Sequence, residues 1–305
     1  MIVEASIVVI LIYIIYICLN RTENFDKVCY QSQNELHISV VLMLKNNEDY
    51  IEIMERLFSN LESNNRYKFT YYIYENNSSD NTKKKISEFM KTRKGIMILE
   101  NMDQHETFGS IISERRGIQM SNLRNKLKQY HGNLESDYTL LIDSDVIFDE
   151  NCLNNMMQLI NKDNNVMITP YTICWERYNQ NYMHYYDSLA LITKDNISWK
   201  ENNNRCMFKE CKDCYNNLSD TFEDKYFLTD DVNKVNSAFG GFVLIDTLIY
   251  NKVKWYPGIC EHHGFCEEVR QHGDIIVAKN IKTTMINPEF YKDYDEIQKV
   301  LKKYN

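Results

Sequence analysis

The stretch YTLLIDSDVIF, residues 138–148, sets two carboxylates, Asp143 and Asp145, directly after a run of aliphatic and β-branched residues. In an extended chain, positions i and i+2 point to the same side. Two carboxylates side by side repel unless a cation lies between them. An all-oxygen pair suits Mg²⁺ or Mn²⁺, which keep water ligands and bridge to phosphate oxygens. Asp and Ser after a strand are also the residues of an ordinary turn, so the pair needs support from elsewhere in the chain.

Two further stretches bear on it. IYENNSSDNTKK, residues 73–84, follows another apolar run. Glu75 is placed to accept from a base N–H or a ribose hydroxyl, and Ser79–Asp80 open a helix whose first N–H groups suit an anion. A capped helix after a plain loop would carry the same residues. CEHHGFCEEVRQHG, residues 260–273, packs Glu261, His262, His263, Glu267, Glu268 and His272 into one segment. Glu261 has the chemistry of a base toward an acceptor hydroxyl, and His262 or His263 that of a further metal ligand. The alternative is a helix start decorated with polar residues. Gly240–Gly241 either admits close approach of backbone to a ligand or marks a bulge.

These residues must be positioned by a scaffold, and the apolar periodicity describes one. Continuous apolar runs at 38–44, 69–74, 95–99, 137–142 and 166–170 read as buried strands. Between them, 47–63 carries Ile51, Met54, Leu57, Phe58 and Leu61 at helical spacing, and 79–93, 112–130 and 150–162 also read as helices. Strands alternating with helices give an α/β domain with a mostly parallel sheet, with ligands at the carboxyl ends of the strands. The pattern breaks at Pro170, and residues 171–235 show no clean period. Strand character returns at 237–245, a helix at 264–273 and a last short strand at 274–278.

The net charge of −8 argues against a protein that binds nucleic-acid backbone, which normally shows a basic face. The abundance of Asn, Ile, Lys and Tyr, with only 9 Gly and 3 Pro, reads as compositional bias, so clusters of Asn carry little weight alone.

LKNNEDYI, YENNSSDNT, LRN (123–125) and LLIDSDVIF, in that order and at these intervals, resemble a GT-A glycosyltransferase. The likeness is good over 38–170 and looser over 237–278, and is nearest to fungal capsule-associated and Golgi mannan mannosyltransferases. It implies a nucleotide-sugar-binding domain that uses Mn²⁺ or Mg²⁺ to hold a GDP- or UDP-sugar. A sugar, mannose in those relatives, would go to a glycan, glycoprotein or glycolipid. Carried over by residue, Glu75 and Asp80 are the nucleoside-side acids. Asp143 and Asp145 are the D-x-D pair, with Asp145 the direct metal ligand. Arg124, rather than Arg115 or Arg116, faces the diphosphate. Glu75 departs from the more usual Asp. A nucleotidyltransferase that makes nucleotide-sugars normally opens with a Gly-rich phosphate loop, absent from LKNNED. A non-catalytic sugar-binding protein of the same fold is the other alternative.

The same reading divides the chain into an anchor at 1–20, a stalk at 21–36 and one domain at 37–305, whose halves, 37–170 and 171–305, serve donor and acceptor. MIVEASIVVILIYIIYICL would span about 28 Å as a helix, enough for a single membrane pass. Arg21 and Lys27 argue for a cytosolic domain by positive-inside counting, whereas anchored enzymes of the resembled kind mostly face a lumen. Nine Cys leave at least one unpaired, and Cys206, Cys211 and Cys214 are spaced for a disulfide, free thiols or, less readily, zinc. Sequons at Asn20, Asn76, Asn77, Asn196 and Asn217 matter only in a lumen.

Overall fold

A computed structural model describes residues 35–102, 113–175, 185–198, 228 and 230–305. The expected membrane anchor, the stalk up to residue 34 and the three clustered cysteines lie outside the described residues, and Leu36, the expected last residue of the stalk, already belongs to the first strand. Within them, no helix is long and apolar enough to cross a membrane.

The apolar runs fold as expected into β1 (Leu36–Leu44), β2 (Tyr67–Asn76), β3 (Gly95–Glu100) and β4 (Tyr138–Ile142). Between them lie α1 (Ile51–Glu62), α2 (Thr82–Met90) and α3 (Glu114–His131). The five apolar residues of α1 noted above are all buried against the sheet. Phe58 of α1 is the node of this layer. Its ring lies 5.3 Å from Tyr71, 6.1 Å from Phe89 and 6.1 Å from Phe148, tying α1 to β2, to α2 and to the chain after β4. Burial of each such ring contributes roughly 2–3 kcal/mol.

After β4 come β5 (Val146–Ile147), α4 (Glu150–Ile160) and β6 (Asn165–Cys174). Then follow β7 (Ile192–Thr193), β8 (Val232–Ser237), β9 (Phe242–Asp246), α5 (Thr247–Lys252), α6 (Glu261–Val269), β10 (Asp274–Met285) and α7 (Tyr294–Tyr304). All ten strands form one sheet in the order β3-β2-β1-β4-β9-β6-β10-β8-β7, with β5 on β10. The sheet is mixed. β2 runs parallel to β3, β1 to β4 and β6 to β10, while β9 lies antiparallel between β4 and β6.

Three expectations are corrected. Pro170 does not end its strand, which runs on to Cys174. The register of β10 against β6 jumps from Ala278–Pro170 to Lys282–Tyr171, so a bulge of extra β10 residues faces the proline that has no N–H to offer. The run 237–245 is not one strand: β8 and β9 are separated by a turn at Gly240–Gly241, both with positive φ, +64° and +70°. The helix expected from Gly264 begins three residues earlier, so Glu261, His262 and His263 form its first turn.

Candidate active site

The carboxylate pair sits in the tight connection between β4 and β5. Asp143 N–H donates to the Gly241 carbonyl at 2.8 Å, and Ile286 N–H donates to the Asp145 carbonyl at 3.0 Å. The pair is therefore held by β9 on one side and the end of β10 on the other. Gly241 is required here twice over. Its φ of +70° is left-handed, and an added Cβ would stand 2.7 Å from Val146 Cγ2 and 3.3 Å from Asp143 Oδ2. Gly241→Ala is expected to destabilise the fold by about 2 kcal/mol or more and to move Asp143. An unchanged thermal midpoint and unchanged activity would show that the turn tolerates a side chain.

Burial raises the pKa of Asp143, with Arg124 lowering it and the negative charges of Asp187 and Glu261 raising it further. Burial, then the neighbouring Asp143, raises that of Asp145. Asp145 makes no ion pair among the described residues. Two half-buried, like-charged carboxylates facing one space are a donor set that a divalent cation fits. Among the described residues no group of three or more His, Cys, Asp or Glu is arranged to hold a metal.

The pair opens on a cleft of about 440 Å³. Its basic residues are Lys45, after β1, and Arg116 and Arg124, two turns apart on α3. Its acidic residues are Asp143, Asp145, Asp187 and Glu261. Arg124 Nε lies 3.4 Å from Glu261 Oε1, and its guanidinium stands over the Phe239 ring at 4.9 Å. His262 stacks on Phe239 with centroids 3.7 Å apart, and its Nε2 is 3.5 Å from Glu261 Oε1. Burial depresses the His262 pKa to about 3, so the imidazole is neutral at physiological pH. Burial alone would raise the Glu261 carboxyl; a protonated His262 would lower it most, and Arg124, its own backbone N–H and Arg116 lower it further. With His262 neutral, the cation that keeps Glu261 ionised is Arg124. The His262 Nδ1 is buried without a hydrogen-bond partner.

Beside this cleft, the loops after β1 and β2 are knitted together. Asn46 N–H donates to Ser78 Oγ, Asn47 N–H to Thr82 Oγ1, Glu48 N–H to Asp80 Oδ2 and Ser79 N–H to Asn46 Oδ1. Asp80 also accepts from Thr82 N–H, so both of its oxygens are used in bracing the loops. Burial raises its pKa, and these donors outweigh that and lower it. Glu75 is wholly buried. Its Oε1 accepts from Ser78 N–H at 2.8 Å, while Oε2 has no hydrogen-bond partner and lies 3.9 Å from Lys83 Nζ.

Of the residues singled out in the sequence, Asp143, Asp145, Arg124, Glu261 and His262 line one cleft. Glu75 and Asp80 stand at the same rim but are not among its lining residues. His263 is turned away, with Nε2 2.8 Å from the Leu189 carbonyl oxygen. Sequence reasoning missed Asp187 and Tyr186, which line the cleft from the aperiodic stretch after β6. Asp187 is placed by two backbone donors, Gly240 N–H on Oδ2 at 3.0 Å and Ala190 N–H on Oδ1 at 3.3 Å. Only the acidic residue itself, in YYDSLAL, could have signalled it.

Among curated proteins, none matches this chain. Solved structures similar to it include the mannosyltransferase PcManGT from Pyrobaculum calidifontis in complex with GDP-Man and Mn²⁺. That match has 9% identity and a TM-score of 0.47, and covers 86% of this chain and 60% of the other. S. aureus TarS 1–349 is 13% identical with a TM-score of 0.48, over 88% and 65%. GalNAc-T7 with UDP, GalNAc and Mn²⁺ is 14% identical with a TM-score of 0.49, over 84% and 45%. The chain thus spans less than two thirds of the length of each. The model of glycosyl transferase family 2 matches residues 39–219, which carry β1 to β6 and the Asp143–Asp145 turn. That stretch is more than half of the chain, and the α/β GT-A fold expected from the sequence rests on it: the chain belongs to glycosyl transferase family 2.

Proposed function

We propose that the chain transfers a sugar from a nucleotide-sugar to a hydroxyl of a glycan, glycoprotein or glycolipid, with a divalent cation at Asp143 and Asp145. The observation that carries this reading is the convergence of that carboxylate pair with Lys45, Arg116 and Arg124 on one cleft in a chain of this family. Mn²⁺ or Mg²⁺ held there would supply positive charge to the departing diphosphate. Arg116 and Arg124 face the same space and supply fixed charge to it without reorganisation. The Oε2 of Glu75, which has no hydrogen-bond partner among the described residues, provides a buried acceptor beside the β1–β2 loops, suited to a base N–H or a ribose hydroxyl.

Glu261 is ionised and lines the cleft, as a base toward an acceptor hydroxyl must be if configuration inverts. Its ion pair with Arg124 makes it a weak base. In a retaining transfer the leaving phosphate itself takes the proton and Glu261 orients Arg124. Product anomer distinguishes the two. Mannose is among the donor sugars that the sequence resemblance supports, and the composition of residues 1–20 supports attachment to a membrane by a single pass.

The test is incubation of the purified protein with a panel of UDP- and GDP-sugars and Mn²⁺, following nucleotide release. Turnover is expected for at least one donor, lost in EDTA and restored by Mn²⁺ or Mg²⁺. Pyrophosphate-dependent formation of a nucleotide-sugar, or no turnover of any donor, would overturn the reading.

A further inference from the structure

The sheet orders the site in space. β2, with Glu75 at its end, lies next to β1. β1 leads to Lys45, and beyond it come β4, with the carboxylate pair, and β9. Asp187 is bonded to Gly240 at the start of the turn into β9, so it stands past the pair on the side away from Glu75. If the nucleoside lies at Glu75 and the diphosphate at Asp143–Asp145, the transferred sugar lies toward Asp187 and Glu261.

The charges of the cleft then constrain that sugar. Asp143 and Asp145 are matched by a divalent cation. Lys45, Arg116 and Arg124 remain, against Asp187, Glu261 and a diphosphate with one negative charge on each phosphate. Arg124 is already paired with Glu261, and Asp187 makes no ion pair among the described residues. Asp187 receives one backbone N–H on each oxygen, which fixes its orientation and leaves acceptor capacity on both. Nothing basic is left over for a second anionic group on the donor. Hydroxyls, by contrast, are donors that two fixed carboxylates accept well.

We propose that Asp187 and Glu261 make this a site for neutral sugars, reading hydroxyl groups of the transferred residue and rejecting sugars that carry a carboxylate. This rests on the nucleotide-sugar reading above and adds the class of sugar to it. Asp187 is then a specificity-determining residue that touches the donor.

The experiment compares donors that differ only by CH₂OH against COO⁻, with the nucleoside diphosphate as reference. The probes are UDP, UDP-glucose and UDP-glucuronate, and GDP, GDP-mannose and GDP-mannuronate, titrated into the protein with Mn²⁺ by calorimetry. Wild-type protein is expected to bind the neutral member of at least one pair about tenfold or more tighter than the uronate, because like charges meet in a poorly solvated cleft. Asp187→Asn, which keeps the side-chain shape, is expected to shrink that ratio to about threefold or less while the free nucleoside diphosphate binds as before. Glu261→Gln is the second arm, expected to shrink the ratio in the same direction, with thermal midpoints recorded for both variants. Equal binding of neutral and acidic donors by wild type, or full discrimination in both variants, would overturn the proposal and leave the transferase reading standing. No binding of any diphosphate or donor by wild type would overturn the transferase reading itself.

Discussion

Asp145→Ala is expected to lower turnover by about a thousandfold or more, with no recovery at high Mn²⁺. A bound divalent cation contributes several kcal/mol to stabilising a departing phosphate, and each 1.36 kcal/mol is tenfold in rate. The fold should not suffer. Asp145 is kept at the cleft surface by its backbone, through Ile286, and its side chain fills no core position. Its carboxyl titrates above the ordinary range because burial and Asp143 both disfavour the charge. A carboxyl with a raised folded-state pKa costs nothing when it is protonated in both states; the cost grows as pH rises from the unfolded value and is complete above the folded one. In EDTA, Asp145→Asn should therefore melt at or above the wild-type temperature at neutral pH. That advantage should disappear on acidification to about pH 3, below the ordinary carboxylate range. A variant that is both inactive and much less stable at neutral pH would place Asp145 in the scaffold instead.

Gly117→Ala is expected to damage both the fold and the site. A Cβ at Gly117 of α3 would stand 1.6 Å from the Gly258 carbonyl oxygen. That carbonyl belongs to the segment leading into α6, which is tied to α3 by Asn125 Nδ2–H donating to the Trp255 carbonyl at 2.7 Å and Trp255 N–H donating to Asn125 Oδ1 at 3.0 Å. Neither backbone has room to give. Alanine gains about 1 kcal/mol in helix propensity, and the clash exceeds it, for a net loss of about 2 kcal/mol or more. Since Arg116 and Arg124 flank the contact on one side and Glu261 on the other, turnover should fall at least about tenfold even in the folded fraction. Gly132→Ala is the control. No atom lies within 4 Å of its Cβ position, so it meets only the backbone strain of φ +64° and ψ −152°, a region nearly confined to glycine, about 1–3 kcal/mol, and should leave activity intact. Equal melting temperatures for Gly117→Ala and wild type would sink the argument.

What the sequence made legible was what depends on local pattern. Strands β1 to β4 are continuous apolar runs, and α1 shows its buried face in five residues, because burial on both sides of a parallel sheet and on one side of a helix each leave a period of their own. The Asp143–Asp145 pair could be seen as a candidate because its two carboxylates are only two residues apart in the chain. What was illegible depends on partners far along it. Pro170 stays in its strand because β10 bulges opposite it, and nothing near Pro170 announces that. Asp187 is oriented by Gly240, and Glu261 is kept ionised by Arg124 on another helix. His262 and His263 are neighbours of identical type. Only the placement of Phe239 and of the Leu189 carbonyl separates one that lines the cleft from one that does not.

The antiparallel insertion of β9 between β4 and β6 has a consequence for the order in which the molecule is made. The Asp143 amide finds its acceptor only when Gly241 has been synthesised, and at about 5–20 residues per second that is roughly 5–20 s after Asp143 itself. Throughout that interval β4, which is central and mostly apolar, lacks its native partner on its far edge. A nascent chain stalled before β9 would present that edge to other chains, and would depend on chaperones to keep it from pairing there.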